Sequence, residues 1–157
     1  MIVLLSALSA HAGALDAERF TVGLPAEVDL VGLAFGVRPE LLWRPIQPDG
    51  AFHLRTATGV MVGPELTLVP VSLGVREVFF PRRRVRPGLG IGMQLQSFFP
   101  RQHAPVFRLD QYLELTLDVA ISETWRAGLQ LSPEFGMVPG FGLGMAARVG
   151  VSRELPW

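Results

Sequence analysis

Apolar and polar residues alternate at every second position in stretches of roughly ten residues, each ending at turn-forming residues. Successive side chains of a β-strand point to opposite faces, so a period of two prescribes strands with one apolar and one polar face. An amphipathic helix would repeat its apolar residues every three to four positions instead. The pattern is clearest after Tyr112: Leu113, Leu115, Leu117, Val119 and Ile121 share one face, and Glu114, Thr116, Asp118 and Ala120 the other. A tight Ser122-Glu123-Thr124 turn follows, and then Trp125, Ala127, Leu129 and Leu131 alternate with Arg126, Gly128, Gln130 and Ser132, with Glu134 continuing the polar row. These two runs predict an antiparallel hairpin.

Other stretches repeat the theme. Leu143, Met145, Ala147, Val149 and Val151 oppose Gly142, Gly144, Ala146, Arg148, Gly150 and Ser152, while Leu89, Ile91, Met93 and Leu95 oppose Arg86, Gly88, Gly90, Gly92, Gln94 and Gln96. Second faces so rich in glycine suit the inside of a narrow, strongly curved barrel, where volume is scarce. Earlier, Leu33, Phe35, Val37, Leu41 and Trp43 alternate with Ala34, Gly36, Arg38, Glu40 and Arg44, and a Gln47-Pro48-Asp49-Gly50 turn precedes the alternation of Phe52, Leu54, Thr56, Thr58 and Val60 with His53, Arg55, Ala57 and Gly59. Val71, Leu73 and Val75 then oppose Ser72, Gly74 and Arg76, and a first strand is placed around Phe20 to Leu30. The expectation is an all-β, antiparallel, up-and-down transmembrane β-barrel of about eight strands in a single domain, 13–157.

Composition narrows the function classes. Only 18% of residues are charged against 49% hydrophobic, and 17 glycines and 13 prolines punctuate the chain, a mixture that disfavours a helical bundle. A formal net charge of zero provides no long-range field for nucleic acid. There is no lysine, which either a GC-rich genome or a need for bidentate pairing with carboxylates in a confined lumen would explain. Absence of cysteine removes disulfides and thiolate chemistry.

Residues 1–12 form an apolar stretch ending in Ala10-His11-Ala12, the small-x-small pattern of a secretory signal peptide, with cleavage expected after Ala12. A basic n-region is missing, and a short buried helix opening a soluble domain is the alternative reading. No later run is long and apolar enough for a membrane helix, so a membrane-spanning chain of this sequence spans as a barrel.

The run Leu68-Val69-Pro70-Val71-Ser72-Leu73-Gly74-Val75-Arg76 followed by Val85-Arg86-Pro87-Gly88-Leu89-Gly90-Ile91-Gly92 resembles the strand pairs of small bacterial outer-membrane barrels of the OmpA/OmpX-like type. The resemblance spans about residues 20 to 153 and consists of alternation and glycine placement. It implies an outer-membrane address and folding by the barrel-assembly machinery. Leu155 and Trp157 match the aromatic ending of that family, whereas Arg153, Glu154 and Pro156 depart from it.

A barrel with apolar faces toward lipid must place its charges inside or at its rims, because a charge at the bilayer midplane costs roughly 2–4 kcal/mol. The predicted lumen network is Arg38, Glu40, Arg55, Arg76, Arg86, Glu114, Asp118, Arg126, Glu134 and Arg148. Trp43, Phe79, Phe80, Phe98, Phe99, Tyr112, Trp125 and Phe135 are assigned to aromatic girdles at the two interfaces. With the amino terminus in the periplasm, the turns near Pro48-Asp49-Gly50, Pro81 to Arg84 and Ser122 to Thr124 are periplasmic. The connection from Pro100 to Phe107 is expected to be the longest and to face outward, and surface contacts fall to loops near Pro25 to Asp29, Gln102 to Val106 and Met137 to Gly140.

No cofactor or metal is expected: His11, His53 and His103 lack metal-ligand spacing, and the glycine runs at 88–92 and 140–144 have strand spacing rather than that of a dinucleotide loop. Glu114 and Asp118 lie about 13 Å apart at roughly 3.3 Å per residue, too far for paired-carboxylate catalysis. The function expected is a structural or surface-interaction role in the outer membrane, with outer-membrane lipid as partner and no catalysis. The rival is a soluble periplasmic lipocalin-like carrier with reversed faces and Leu113, Leu115 and Leu117 inside. A lipid hydrolase stands third, since neither His53 nor His103 has a serine two residues on.

Overall fold

The alternating stretches pair with one another as one antiparallel sheet that closes on itself. A computed structural model describes residues 20–31, 33–45 and 51–155, with strands β1 (Phe20–Asp29), β2 (Ala34–Val37), β3 (Glu40–Trp43), β4 (Phe52–Thr58), β5 (Val60–Val62), β6 (Leu66–Val78), β7 (Val85–Pro100), β8 (Val106–Ala120), β9 (Trp125–Val138) and β10 (Gly142–Glu154). These ten segments make eight staves. β2 and β3 form one stave broken at Arg38-Pro39, where proline has no N–H for the ladder, yet Ala26↔Val37 and Gly23↔Glu40 keep one register against β1. β4 and β5 form another, broken at Gly59, where a Cβ would lie 2.9 Å from the Arg38 Cα. β10 returns to pair with β1 from Thr21↔Glu154 to Asp29↔Ala146. Closure leaves no sheet edge, the condition for holding a sheet in hydrocarbon.

The expected loop at Pro25 to Asp29 is corrected: these residues belong to β1. Pro25 is accommodated because its carbonyl still accepts from the Arg38 N–H at 3.0 Å and because Gly150 stands opposite. Met137 and Val138 likewise end β9 rather than open a loop. The connections at 63–65, 101–105 and 139–141 lie at one end of the barrel with the end of β1 and the start of β2, and those at 79–84 and 121–124 at the other with the end of β3 and the start of β4, beside Phe20 and Leu155. Among the described residues the six-residue connection at 79–84 is longer than that at 101–105, contrary to expectation, because β7 and β8 continue their pairing as far as Phe98↔Val106. Residues 1–12 with His11, the Pro48-Asp49-Gly50 turn and Trp157 fall outside the described residues.

Tyr112 explains two of the lumen glycines. Its side chain extends over the two neighbouring strands: a Cβ on Gly92, its cross-strand partner, would stand 2.6 Å from its Cζ, and one on Gly74, paired with Gly92 on the next strand, would run into its hydroxyl. Gly92→Ala should therefore cost about 1–3 kcal/mol through overpacking. A urea midpoint that does not move on that substitution would mean the ring is seated elsewhere.

Candidate functional site

Burial alternates along every stave, and its polarity is inverted relative to a soluble protein. The completely enclosed side chains are mostly charged or amide-bearing, with Arg38, Arg55, Arg76, Arg148, Glu27, Glu114, Asp110 and Gln94 all below 2% exposure. Apolar burial is sparse by comparison: Ala34, Met61 and Leu68 form one small cluster packed by Leu66 and Phe98, and Leu42, Ala57, Val78, Tyr112 and Ala146 are buried outside it.

Period two places these charges in the lumen and the barrel's curvature brings them together. Glu114 on β8 accepts from the Arg76 Nε at 2.7 Å and lies 3.3 Å from the Arg55 Nε and 3.6 Å from the Arg148 Nη1. Glu40 on β3 accepts from Arg55 at 2.9 Å, Arg76 at 3.2 Å and Gln130 at 3.1 Å. Arg148 reaches Glu27 at 2.9 Å, where Arg38 also donates at 3.0 Å, and Arg38 bonds Gln94 across the lumen. Glu134 accepts from Gln96 at 2.7 Å and lies 3.6 Å from Arg148. Four staves thus contribute the arginines and four the glutamates of one continuous network.

Two of the predicted charges belong to a separate group beside the chain ends. There Arg44, Arg86 and Arg126 converge on Glu154 at 3.2, 3.2 and 3.0 Å. Asp118, half-buried, and His53, whose Nδ1 lies 3.0 Å from the Ala51 carbonyl, line the space between that group and the central network. The space measures about 30 Å³, room for water and nothing larger. Toward the other end, Arg108 pairs with Asp110, donates to Gln96 at 3.1 Å and lies over the ring of Phe98, which packs on the apolar group.

Sequence reasoning missed Glu27, Arg44, Asp110 and Glu154. Glu27 was hidden by the loop assignment, although Thr21, Gly23, Pro25 and Glu27 already alternate against Val22, Leu24, Ala26 and Val28. Glu154 lay beyond the last alternation considered, and the ladder in fact runs on to Leu155, whose N–H donates to the Phe20 carbonyl at 3.1 Å. Among the described residues no group of three His, Cys, Asp or Glu side chains is arranged to hold a metal.

The outer face carries aliphatic and aromatic side chains almost without interruption. Leu73 and Phe35 are each 68% exposed, Val149 62% and Ile91 57%. A belt of this size would be untenable in water and is satisfied by hydrocarbon. Leu113, Leu115 and Leu117 belong to it, so the reversed faces of a lipocalin-like carrier are excluded. Phe79, Phe99, Trp125 and Phe135 are exposed on or beside the belt, Phe80 is exposed in the turn after β6, and Trp43 stacks on Phe20 at 6.4 Å between ring centroids. Two girdle assignments are corrected. Tyr112 is 2% exposed and lies in the lumen, with its hydroxyl accepting from Arg55 at 3.3 Å, and Phe98 packs on the inner apolar group with Arg108 over its ring. Both occupy even-numbered, inward positions of their strands, and there the direction of the pleat outweighs the preference of aromatic rings for the interface.

No protein-family model and no curated protein matches this sequence. Solved structures do. The N-terminal β-barrel domain of Pseudomonas aeruginosa OprF superposes with a TM-score of 0.72 at 13% identity, over 87% of this chain and 97% of that one. Neisserial surface protein A gives 0.58 at 10% identity, over 88% and 95%. A de novo designed transmembrane β-barrel gives 0.52 at 13% identity, over 88% and 96%. Closed antiparallel topology, charges inside, an apolar belt outside and these three likenesses agree that the chain has the fold of the small eight-stranded transmembrane β-barrels of the outer membrane.

Proposed function

We propose that the chain serves as a sealed, membrane-anchored barrel with a structural or surface-contact role and without catalysis. The observation that carries this reading is the filled lumen: arginine–carboxylate pairs span it from wall to wall, and the space left over suits single waters. Transport through such a barrel would require dismantling buried ion pairs, so the useful surfaces are the outer wall and the rims. On this reading residues 1–12 direct export, the barrel-assembly machinery inserts the chain, outer-membrane lipid surrounds the belt, and both barrel termini face the periplasm. Surface contacts then fall to the connections at 63–65 and 101–105, which flank a recess of about 430 Å³ lined by Pro64, Glu65, Leu66, Pro100, Arg101, Gln102 and His103.

The test is fractionation of cells making the full chain, followed by gel mobility with and without boiling and by planar-bilayer recording of the purified protein. The expected result is recovery in the outer membrane, a band whose mobility shifts on heating, and no discrete conductance steps. Recovery in the soluble periplasmic fraction would overturn the membrane role, and steady unitary currents would overturn the sealed lumen.

A further inference from the structure

The six-residue connection between β6 and β7 has a composition unlike any other in the barrel. It reads Phe79-Phe80-Pro81-Arg82-Arg83-Arg84, with Phe79, Phe80 and all three arginines exposed. Phe79 continues the outward row of β6 and is still held in the ladder, its N–H donating to the Pro87 carbonyl at 2.7 Å. Phe80 has φ of 55°, a left-handed conformation that a residue with a Cβ adopts only against a steric penalty. The turn retains that geometry through the Arg83 N–H donating to the Phe80 carbonyl at 2.9 Å, and the Arg83 guanidinium lies over the Phe80 ring at 4.9 Å. Among the described residues neither Arg83 nor Arg84 has a carboxylate partner.

Charge around this end of the barrel points the same way. Among the described residues, Arg82, Arg83, Arg84 and Arg153 are exposed there against Glu77 and Glu123, and just inside the mouth Arg44, Arg86 and Arg126 converge on Glu154. Among the described residues the opposite rim shows no such excess, with Glu65 and Arg101 exposed, Asp29 half-buried and Arg108 paired with Asp110.

We propose that the connection from Phe79 to Arg84 is a binding site for the phosphate of an anionic phospholipid in the adjacent leaflet. The proposal rests on the membrane reading above and adds a specific lipid contact to it. Phe79 and Phe80 lie where acyl chains meet headgroups, the depth that aromatic rings favour, and they hold the turn against the bilayer surface. Arg83 and Arg84 then present planar guanidinium forks to a phosphodiester, which accepts paired N–H bonds in the geometry that arginine supplies and lysine does not. Stacking on Phe80 limits the conformations open to Arg83 before the lipid arrives. A lipid is favoured over a free anion because the two phenylalanines would otherwise face water.

The test uses the full chain, purified in a neutral detergent, and measures by native mass spectrometry its retention of phosphatidylglycerol and of phosphatidylcholine. In the double variant Arg83→Gln/Arg84→Gln, affinity for phosphatidylglycerol should fall about 25-fold, on the order of fivefold per charge, with phosphatidylcholine unaffected. Phe80→Ser should also weaken phosphatidylglycerol, and Arg101→Gln at the opposite rim should leave it unchanged. Equal phosphatidylglycerol affinity in the double variant and the unaltered chain would overturn the site. So would an equal loss in Arg101→Gln, and so would displacement of the lipid by inorganic phosphate with full affinity retained in Phe80→Ser. Heat-modifiable mobility is recorded on every sample: its absence from the unaltered chain would sink the membrane reading itself, whereas a failed lipid preference in a chain that keeps it overturns only the lipid site.

Discussion

Glu114→Ala is expected to destabilise the barrel by about 3–5 kcal/mol, the usual cost of stranding a buried charge. Glu114 is completely enclosed and is approached by Arg55, Arg76 and Arg148. Removing its carboxylate leaves those three guanidinium groups with Glu40, Glu27 and Glu134, which already serve them, and opens a void at the centre of the lumen. The measurement is equilibrium urea unfolding in lipid vesicles, followed by tryptophan emission and by the fraction of heat-modifiable band. The double replacement Arg76→Met/Glu114→Leu should cost less than Glu114→Ala alone, because it removes both members of a pair and refills the space with hydrocarbon. A single variant as stable as the unaltered protein would show that water reaches Glu114 and solvates its partners. A double variant worse than the single would show that the remaining pairs depend on Arg76 more than its bond to Glu40 at 3.2 Å suggests.

The outer face makes the complementary prediction. Leu115 is half exposed on β8, between Leu89 of β7 and Leu131 of β9, in the middle of the aliphatic belt. Leu115→Arg should cost roughly 2–4 kcal/mol in a bilayer, and the same change at Val85, where β7 begins at the rim, roughly 0–1 kcal/mol. In water an exposed leucine replaced by arginine changes stability little. The depth dependence is therefore the informative quantity, read as the difference between the two variants' urea midpoints in vesicles. Equal, small effects at Leu115 and Val85 would mean that the belt faces water.

The two predictions draw on different parts of the sequence–structure relation. Which face of each strand is apolar is a local property: Leu113-Glu114-Leu115-Thr116-Leu117 has only one arrangement that separates hydrocarbon from charge, and the pleat enforces it on any strand. The alternation was accordingly readable from Leu33 onward, and the position of Arg55, Arg76, Glu114 and Arg148 on inward faces followed from parity. The reading faltered where proline and a charge interrupt the pattern, as at Pro25 and Glu27, because a missing N–H looks like a strand end in sequence. In the closed barrel the neighbouring strand still donates to the Pro25 carbonyl. Aromatic placement faltered for a related reason. Proximity to a strand end and residue type both favour the interface, but Phe98 and Tyr112 fall on inward parity, and Tyr112 has Gly74 and Gly92 opposite to receive it.

Strand identity, facing and the inward set of charges thus followed from the sequence by itself, because a period of two is written residue by residue and needs no partner. Which carboxylate meets which arginine was decided only by closure. Glu114 meets Arg76 from 38 positions away and Arg148 meets Glu27 from 121 positions away, distances that no local pattern encodes. Registers such as Gly90↔Glu114 and Glu27↔Arg148, together with the curvature of eight staves, bring them within bonding range. The same closure gathers Arg44, Arg86 and Arg126 from three separate strand ends onto Glu154. Alternation chooses the side of the wall, and the way the wall bends back on itself chooses the partner.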